Sequence, residues 1–380
     1  MKKNIGQPSL WLLIALIALP QISETIFSPA LPAIAAHFTT TMASAQLTIS
    51  IYFLAFALGV FFFGRLSDKI GRRTAMLYGL ALYVLGSIGC LFAPNLLALL
   101  TARFIQAFGI SVGSVITQTI LRESLHGTAR HQAFAMISAA LAFTPAIGPL
   151  IGGFTVQYAG LHMVFIVLIV VGASLFGYTF IKLPETSEPS FTPLRPIVMR
   201  MLRNPNVWCY GFMIGAINGI LFSYYAEAPF IYTELFALSS ARYGFLGMVV
   251  ALASLTGALC AKRLVKHMMP NRLILLGSSI TLLGACSALL TSEIIGFTAS
   301  MFIVLFGTAL ALPSCLSLAL VDFPDVVGSA SAILSLGYYA LVSALTFSMS
   351  ILHDGTLYAL PFYIIGTSVA MLLISLKLQK

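Results

Sequence analysis

Gly64-Arg65-Leu66-Ser67-Asp68-Lys69-Ile70-Gly71-Arg72-Arg73 is the densest run of charge in a chain that is otherwise almost uncharged. A long apolar segment, Ile49 to Phe63, precedes it, and another, Ala75 to Phe92, follows it. The run therefore reads as a tight loop at which the chain leaves a membrane and at once re-enters. Its two glycines permit a close turn between helix ends. Its four cations suit anionic lipid headgroups on a cytoplasmic face. Asp68 is the informative residue. A loop that only sets topology needs no carboxylate, whereas one that locks and releases against a neighbouring helix does.

Composition supports a membrane setting. Of 380 residues, 59% are hydrophobic and 8% charged, with a mean hydropathy of +1.00. A soluble domain carries about 25% charged residues, so there is too little polar surface here to cover a globule in water. The net charge of +9 would suggest a nucleic-acid partner in a soluble protein. Here the cations fall in loops on alternate sides, and topology accounts for them. Cys90, Cys209, Cys260, Cys286 and Cys315 are scattered through apolar segments with no C-x-x-C or Cys/His spacing. They read as small apolar side chains, not as metal ligands or disulfides. No metal, cofactor or catalytic constellation is expected. Lys2-Lys3 followed by Leu10 to Pro20 imitates a signal peptide, with Ala33-Ile34-Ala35 as its cleavage site. The apolar stretch outruns an h-region, so it is read as the first span.

A spanning helix needs about 20 apolar residues. The sequence predicts twelve: 10–36, 44–64, 74–93, 96–119, 131–157, 161–181, 207–232, 243–264, 273–291, 295–319, 328–352 and 357–376. The longest connection, 182–206, divides them six and six. The expected organisation is an all-α membrane protein of two pseudo-symmetric six-helix bundles, 1–181 and 207–380, joined by a cytoplasmic linker, 182–206. The cations test this count. With these spans, eighteen of the twenty Lys and Arg fall on one side; Arg242 lies on the other and Arg103 within a span. The positive-inside rule then places both termini and the linker in the cytoplasm. The basic run Lys262 to Arg272 occupies in the second half the place of Gly64 to Arg73, without the Asp or the glycines. Such an echo is expected of two parallel repeats.

Ionisable groups at membrane depth are costly and usually face a cavity. Glu24 lies in the middle of the first span, Arg103 two turns into the fourth, and Glu227 towards the outer end of the seventh. Glu24 reads either as a proton-binding cavity carboxylate or as a permanent partner of Arg103. Glu227 reads either as a proton site or as a group facing water. Arg103 reads as functional or charge-balancing. In the seventh span, Gly211, Gly215 and Gly219 mark a close-packing face. Tyr225 belongs either to an interfacial aromatic belt or to a cavity wall for cations.

The opening stretch resembles the signature G-x-L-a-D-r-x-G-r-r/k of the major facilitator superfamily, through Gly64, Leu66, Asp68, Gly71, Arg72 and Arg73. Further matches resemble its twelve-helix drug:proton antiporter branch, nearest to the Bcr/CflA and EmrD-type multidrug transporters. Pro29-Ala30-Leu31-Pro32 fits the end of helix 1. Leu99, Arg103 and Gln106 fit l-x-x-x-R-x-x-q-G, with Ala107 for the glycine. Gly148, Pro149, Gly152 and Gly153 fit the antiporter signature g-x-x-x-G-P-x-x-G-G, with Thr144 for its first glycine. Leu183-Pro184-Glu185-Thr186 and the segment Phe323 to Ala332 fit as well. The branch often carries Asp at the position of Thr25, whereas this chain has its acid one residue earlier, about 100° around a helix.

The resemblance implies a monomeric, multi-pass protein of a bacterial inner membrane that exports small lipophilic or cationic compounds in exchange for protons. An endogenous metabolite or a siderophore is the alternative cargo. A membrane sensor or intramembrane enzyme is remote: the chain has no H-E-x-x-H or G-x-S-x-G and no long loop. Its partners are expected to be a small-molecule substrate, protons and the lipid bilayer. Glu24 and Glu227 are the expected proton-coupling residues, Arg103, Gln106 and Tyr225 the cavity and charge-balancing set. Gly64, Asp68, Gly71, Arg72 and Arg73 form the expected gate, with Asp68 facing the N-terminal end of the eleventh helix near Gly328 and Ser329. The cavity itself is expected to be largely apolar.

Overall fold

A computed structural model describes residues 8–124, 133, 136–137, 140–186, 195–323 and 326–379, with nothing said of the side chains of Arg122 and Val327. Its regular structure is entirely helical among these residues. The first span is built in two pieces, α1 (Leu10–Thr25) and α2 (Leu31–His37), with a 3₁₀ turn at Ser28–Ala30 between them. Pro29 and Pro32 stand at the starts of the turn and of α2, where a missing N–H leaves no bond unmade. Then follow α3 (Met42–Ile70), α4 (Arg72–Leu91), α5 (Leu96–Ser124), α6 (Thr144–Ala159) and α7 (Leu161–Lys182). After a short α8 (Arg195–Leu202) come α9 (Pro205–Phe230), α10 (Ser240–Leu264), α11 (Pro270–Ala288), α12 (Ile294–Leu318), α13 (Val327–Leu352) and α14 (Ala359–Lys377).

Eleven described segments are long and apolar enough to cross a membrane. The remaining expected span, 131–157, lies partly outside the described residues; its second part is α6. One expectation needs correction. The run Gly64 to Arg73 is not a loop: α3 continues to Ile70, Gly71 alone forms the joint at φ 92°, and Arg72 begins α4. Six polar or charged residues can be helical here because they solvate one another and the neighbouring helix ends. Within the segment 182–206, α8 buries Ile197 and Met201.

The two halves repeat one packing pattern. In the first, α4 packs on α5, α3 on α5 and α4 on α7; in the second, α11 packs on α12, α10 on α12 and α11 on α14. Two seams join the halves, α6 with α10 and α3 with α13. One end of the bundle, the basic end, carries the Gly71 joint and the Lys262 to Arg272 connection. The opposite, far end carries the turns after α2, α9 and α13. The cysteines are free, with Cys90 and Cys315 buried as expected but Cys286 exposed on the bundle surface.

Candidate functional site

Between the halves lies a cavity of about 290 Å³. It is lined by α1 (Gln21, Glu24, Thr25), α3 (Phe56), α5 (Ser114, Gln118), α6 (Thr144), α9 (Asn218, Phe222, Tyr225) and α13 (Tyr339). A second space of about 410 Å³ shares Ser114, Gln118 and Tyr339 with it and continues past Ser335 and Ser331 to Gly328 at the basic end. Ile17, Pro20, Leu141, Pro145, Leu221 and Leu312 complete the wall, so it is more apolar than polar, but three amides, a carboxylate and several hydroxyls converge on it.

Glu24 stands in that wall, partly exposed to the cavity. No ion pair within 4.0 Å joins it to Arg103. Arg103 is fully buried behind it. Its guanidinium lies between the rings of Phe27 and Tyr52, 3.7 and 4.3 Å from their centroids. It donates to Gln106 and to the Ser23 carbonyl at 3.0 Å. Gln106 donates in turn to Ser87 at 2.7 Å. Arg103 and Gln106, expected in the cavity set, lie buried behind its wall and bond to each other; the contacts of Arg103 are π faces and carbonyls, and Glu24 acts on it only through space. Desolvated in this way, such stacking contributes about 2 kcal/mol or more.

The far end is shut. Ser28 donates to the Tyr225 carbonyl at 2.5 Å and shares a 2.7 Å hydrogen bond with the Tyr243 hydroxyl. Tyr225 donates to the Pro145 carbonyl at 2.9 Å, and Ser343 to the Ser50 carbonyl at 2.7 Å. Tyr225 is therefore a cavity wall residue, not part of an interfacial belt. Glu227 does not face water. It is fully buried, accepting from Gln46 of α3 at 2.6 Å and pairing with His353, just beyond α13, at 2.8 Å.

The glycines of α6 sit where helices touch. A Cβ on Gly148 would meet Thr25 at 1.9 Å, and on Gly152 the Ile26 carbonyl at 2.2 Å. On Gly153 it would meet the Ser240 carbonyl at 2.3 Å, and Pro149 presents its carbonyl to Gly244. One face of α6 thus rests on the first span and the other on α10 in the opposite half. Gly211, Gly215 and Gly219 rest on Leu334, Leu341 and Leu345 of α13, an internal face.

At the basic end Arg72 is the hub. It donates to Ser67 and Asp68 at 2.7 and 2.6 Å and grips Glu123 of α5 with two bonds of 3.2 and 2.7 Å. Glu185 caps α4 by accepting from the N–H groups of Arg72 and Arg73 at 2.7 and 3.1 Å. It packs so closely on Gly71 that a Cβ there would lie 2.4 Å from its carboxylate. Arg73 donates to the Phe180 carbonyl at 2.7 Å. Asp68 is thus engaged within its own half, and Gly328 has no neighbour within 4 Å of a Cβ position. Gly64 is an ordinary helical residue with Val115 at 3.5 Å. Sequence reasoning did not single out Gln46, Glu123 or His353. Each stands at a helix end or in a polar flank with no local pattern to name its distant partner. Glu185 was visible as a motif but not as a cap.

A profile of the Major Facilitator Superfamily matches residues 13–347. An "Uncharacterized transporter" of Rickettsia bellii (strain RML369-C) is 35% identical over 388 residues, covering 97% of this chain and 96% of the relative. "Multidrug resistance protein D" of Escherichia coli (strain K12) is 26% identical over 88% of this chain and 86% of its own. Among solved structures, a bacterial homologue of the human lysosomal transporter Spinster superposes with a TM-score of 0.74 at 14% identity, over 96% of this chain and 94% of that one.

Proposed function

The chain belongs to the major facilitator superfamily, and from that premise we propose that this multi-pass membrane transporter exports small lipophilic or cationic compounds in exchange for protons. The observation that carries this reading is Glu24, a carboxylate in the wall of the central cavity, with no described cation in contact and aromatic rings and amides around it. Such a group can hold a proton or a cationic compound, but not both. Burial of a bare carboxylate is costly, so the empty carrier returns only with its proton. The basic end faces the cytoplasm of a bacterial inner membrane, with both termini there, in keeping with the positive-inside rule.

With the far end shut, Glu24 releases its proton to the cytoplasm and a compound enters. The halves then rock along the α6–α10 and α3–α13 seams, where Gly148, Gly152 and Gly153 let backbones slide at contact distance and Pro149 leaves its carbonyl against Gly244. On the other side the compound departs as Glu24 takes a proton. In that state Asp68 turns to the positive end of α13 near Gly328 and Ser329, while Arg72 and Arg73 keep α4 anchored through Glu123 and Glu185. Gly71 provides the joint. Exchange of one proton for one monovalent cation moves no net charge, so the pH gradient drives it; for an uncharged compound each proton entering would add about 2.3 kcal/mol per 100 mV of membrane potential. The transporter acts as a monomer.

The polar part of the wall favours a second reading, a polar cationic metabolite as cargo, because Gln21, Gln118 and Asn218 offer hydrogen bonds that a lipophilic drug leaves unused. Proteoliposomes with an acidic interior test both. Lipophilic cations and polar amines added outside one at a time should draw protons out of the lumen for the true substrate class, and Glu24→Gln should abolish the exchange. A compound that equilibrates without proton movement makes the protein a facilitator and overturns the antiport reading.

A further inference from the structure

Glu24 opens onto the cavity, but Glu227 does not. The cavity wall ends at Tyr225, and Glu227 is not among its residues. Its side chain is 0% exposed. It draws together three elements across the seam: Gln46 of α3 from the first half, α9 itself, and His353 beyond α13. His353 is in turn the group through which the cluster meets the far end, with 11% of its side chain exposed and its ring edge-on to Phe230 at 4.7 Å.

We infer that Gln46, Glu227 and His353 form a latch that shuts the far end only while the Glu227–His353 pair carries one proton, so that the pair senses pH on that side instead of carrying the transported proton. The inference rests on the alternating-access part of the proposed function and not on its proton coupling.

Charge balance within the cluster decides the proton count. With no proton on the pair, closure buries a bare carboxylate; Gln46 donates one hydrogen bond but no charge. With two, an imidazolium sits against a neutral carboxyl and the positive charge is left over. With one, the pair is neutral overall and its 2.8 Å contact is charge-assisted. The hydrogen bond to Glu227 is the main reason that His353 holds its proton more tightly than an ordinary histidine; burial opposes this, and the charges of Glu227, Asp354 and Glu234 reinforce it. A raised histidine stabilises the latched state fully below its ordinary value near 6.5 and ceases to do so as pH rises through the raised value. The latch therefore holds below the ordinary histidine value and weakens as pH rises through the raised one. The proton bound on closing leaves on opening to the same side, through the exposed edge of His353. It is a gate proton, and it adds nothing to the stoichiometry of exchange.

Hydrogen exchange on the full-length protein in lipid nanodiscs reads the latch without substrate or gradient, and hence independently of whether transport is proton-driven. The relevant peptides are 37–46, 231–242 and 350–358, with rates corrected for intrinsic exchange chemistry at about pH 6 and about pH 8.5, on either side of the ordinary histidine range. The wild type should lose protection there several-fold at the higher pH. His353→Gln, which cannot supply the charge, should be poorly protected at both. His353→Lys, charged throughout, should be protected at both, and it keeps the test decisive if the Gln variant does not fold. Glu227→Gln needs no balancing charge and should also lose the pH dependence. Protection that is unchanged with pH in the wild type, or a wild-type pH response in His353→Gln or Glu227→Gln, overturns the latch.

Discussion

Glu24 and Arg103 have opposite structural weights, although both are charges at membrane depth. Arg103 holds Gln106, the Ser23 carbonyl and two aromatic faces. Glu24 holds no described side chain in place. Glu24→Gln is therefore expected to fold and express like the wild type while losing exchange. Arg103→Leu should lower thermal stability by about 2 kcal/mol or more, the scale of a desolvated cation–π contact, as read by unfolding in detergent. Equal loss of expression in both variants would point to a permanent pair that the geometry does not contain. At the basic end, Arg72→Lys keeps the charge but not the fork that spans Ser67, Asp68 and Glu123. It should cost about 1.5–3 kcal/mol, the range for a lost hydrogen bond to a charged group. That three charges lie inside the bundle was legible, since charged letters stand out in apolar runs. That π faces hold Arg103 was not, because Phe27 and Tyr52 approach it from the turn after α1 and from α3.

Element by element, the pattern of close contact is concentrated in α6. Its glycines touch the first span on one side and α10 on the other. Gly152→Val should drive α6 from Ile26 and Pro29, an overpacking effect of about 1–3 kcal/mol, and slow exchange more than a change in lipid-facing Phe154 does. Transport rates on matched protein amounts check this. Helix existence was plain from apolar length, and the glycines of α6 stood out as a family motif, though not the helices they rest on. The ends were less so. Gly64 to Ile70 reads as a loop by charge alone but is helix: Ser67 and Asp68 accept from Arg72, which Glu123 and Glu185, from distant stretches of chain, hold in place.

For the whole molecule, the all-helical repeat was foreseeable from six and six spans and from the one-sided cations, whereas the seams, α6 with α10 and α3 with α13, were not. The state of the two ends was not. It depends on hydrogen bonds between residues far apart in sequence, such as Ser28 with Tyr243 and Gln46 with Glu227. In this state a cysteine introduced at Gly328, beside the wide space at the basic end, should react with a membrane-impermeant maleimide from that end. One at the buried Gln46 should not react from the far end. Addition of substrate should shift both reactivities in opposite directions. The central claim is that proton and substrate compete for Glu24. It is met most directly by adding a bound lipophilic cation to the purified transporter in weakly buffered detergent and recording the pH. Release of about one proton per cation bound, absent in Glu24→Gln, is the result predicted by a single shared carboxylate. Binding without proton release, or undiminished release from Glu24→Gln, would contradict it.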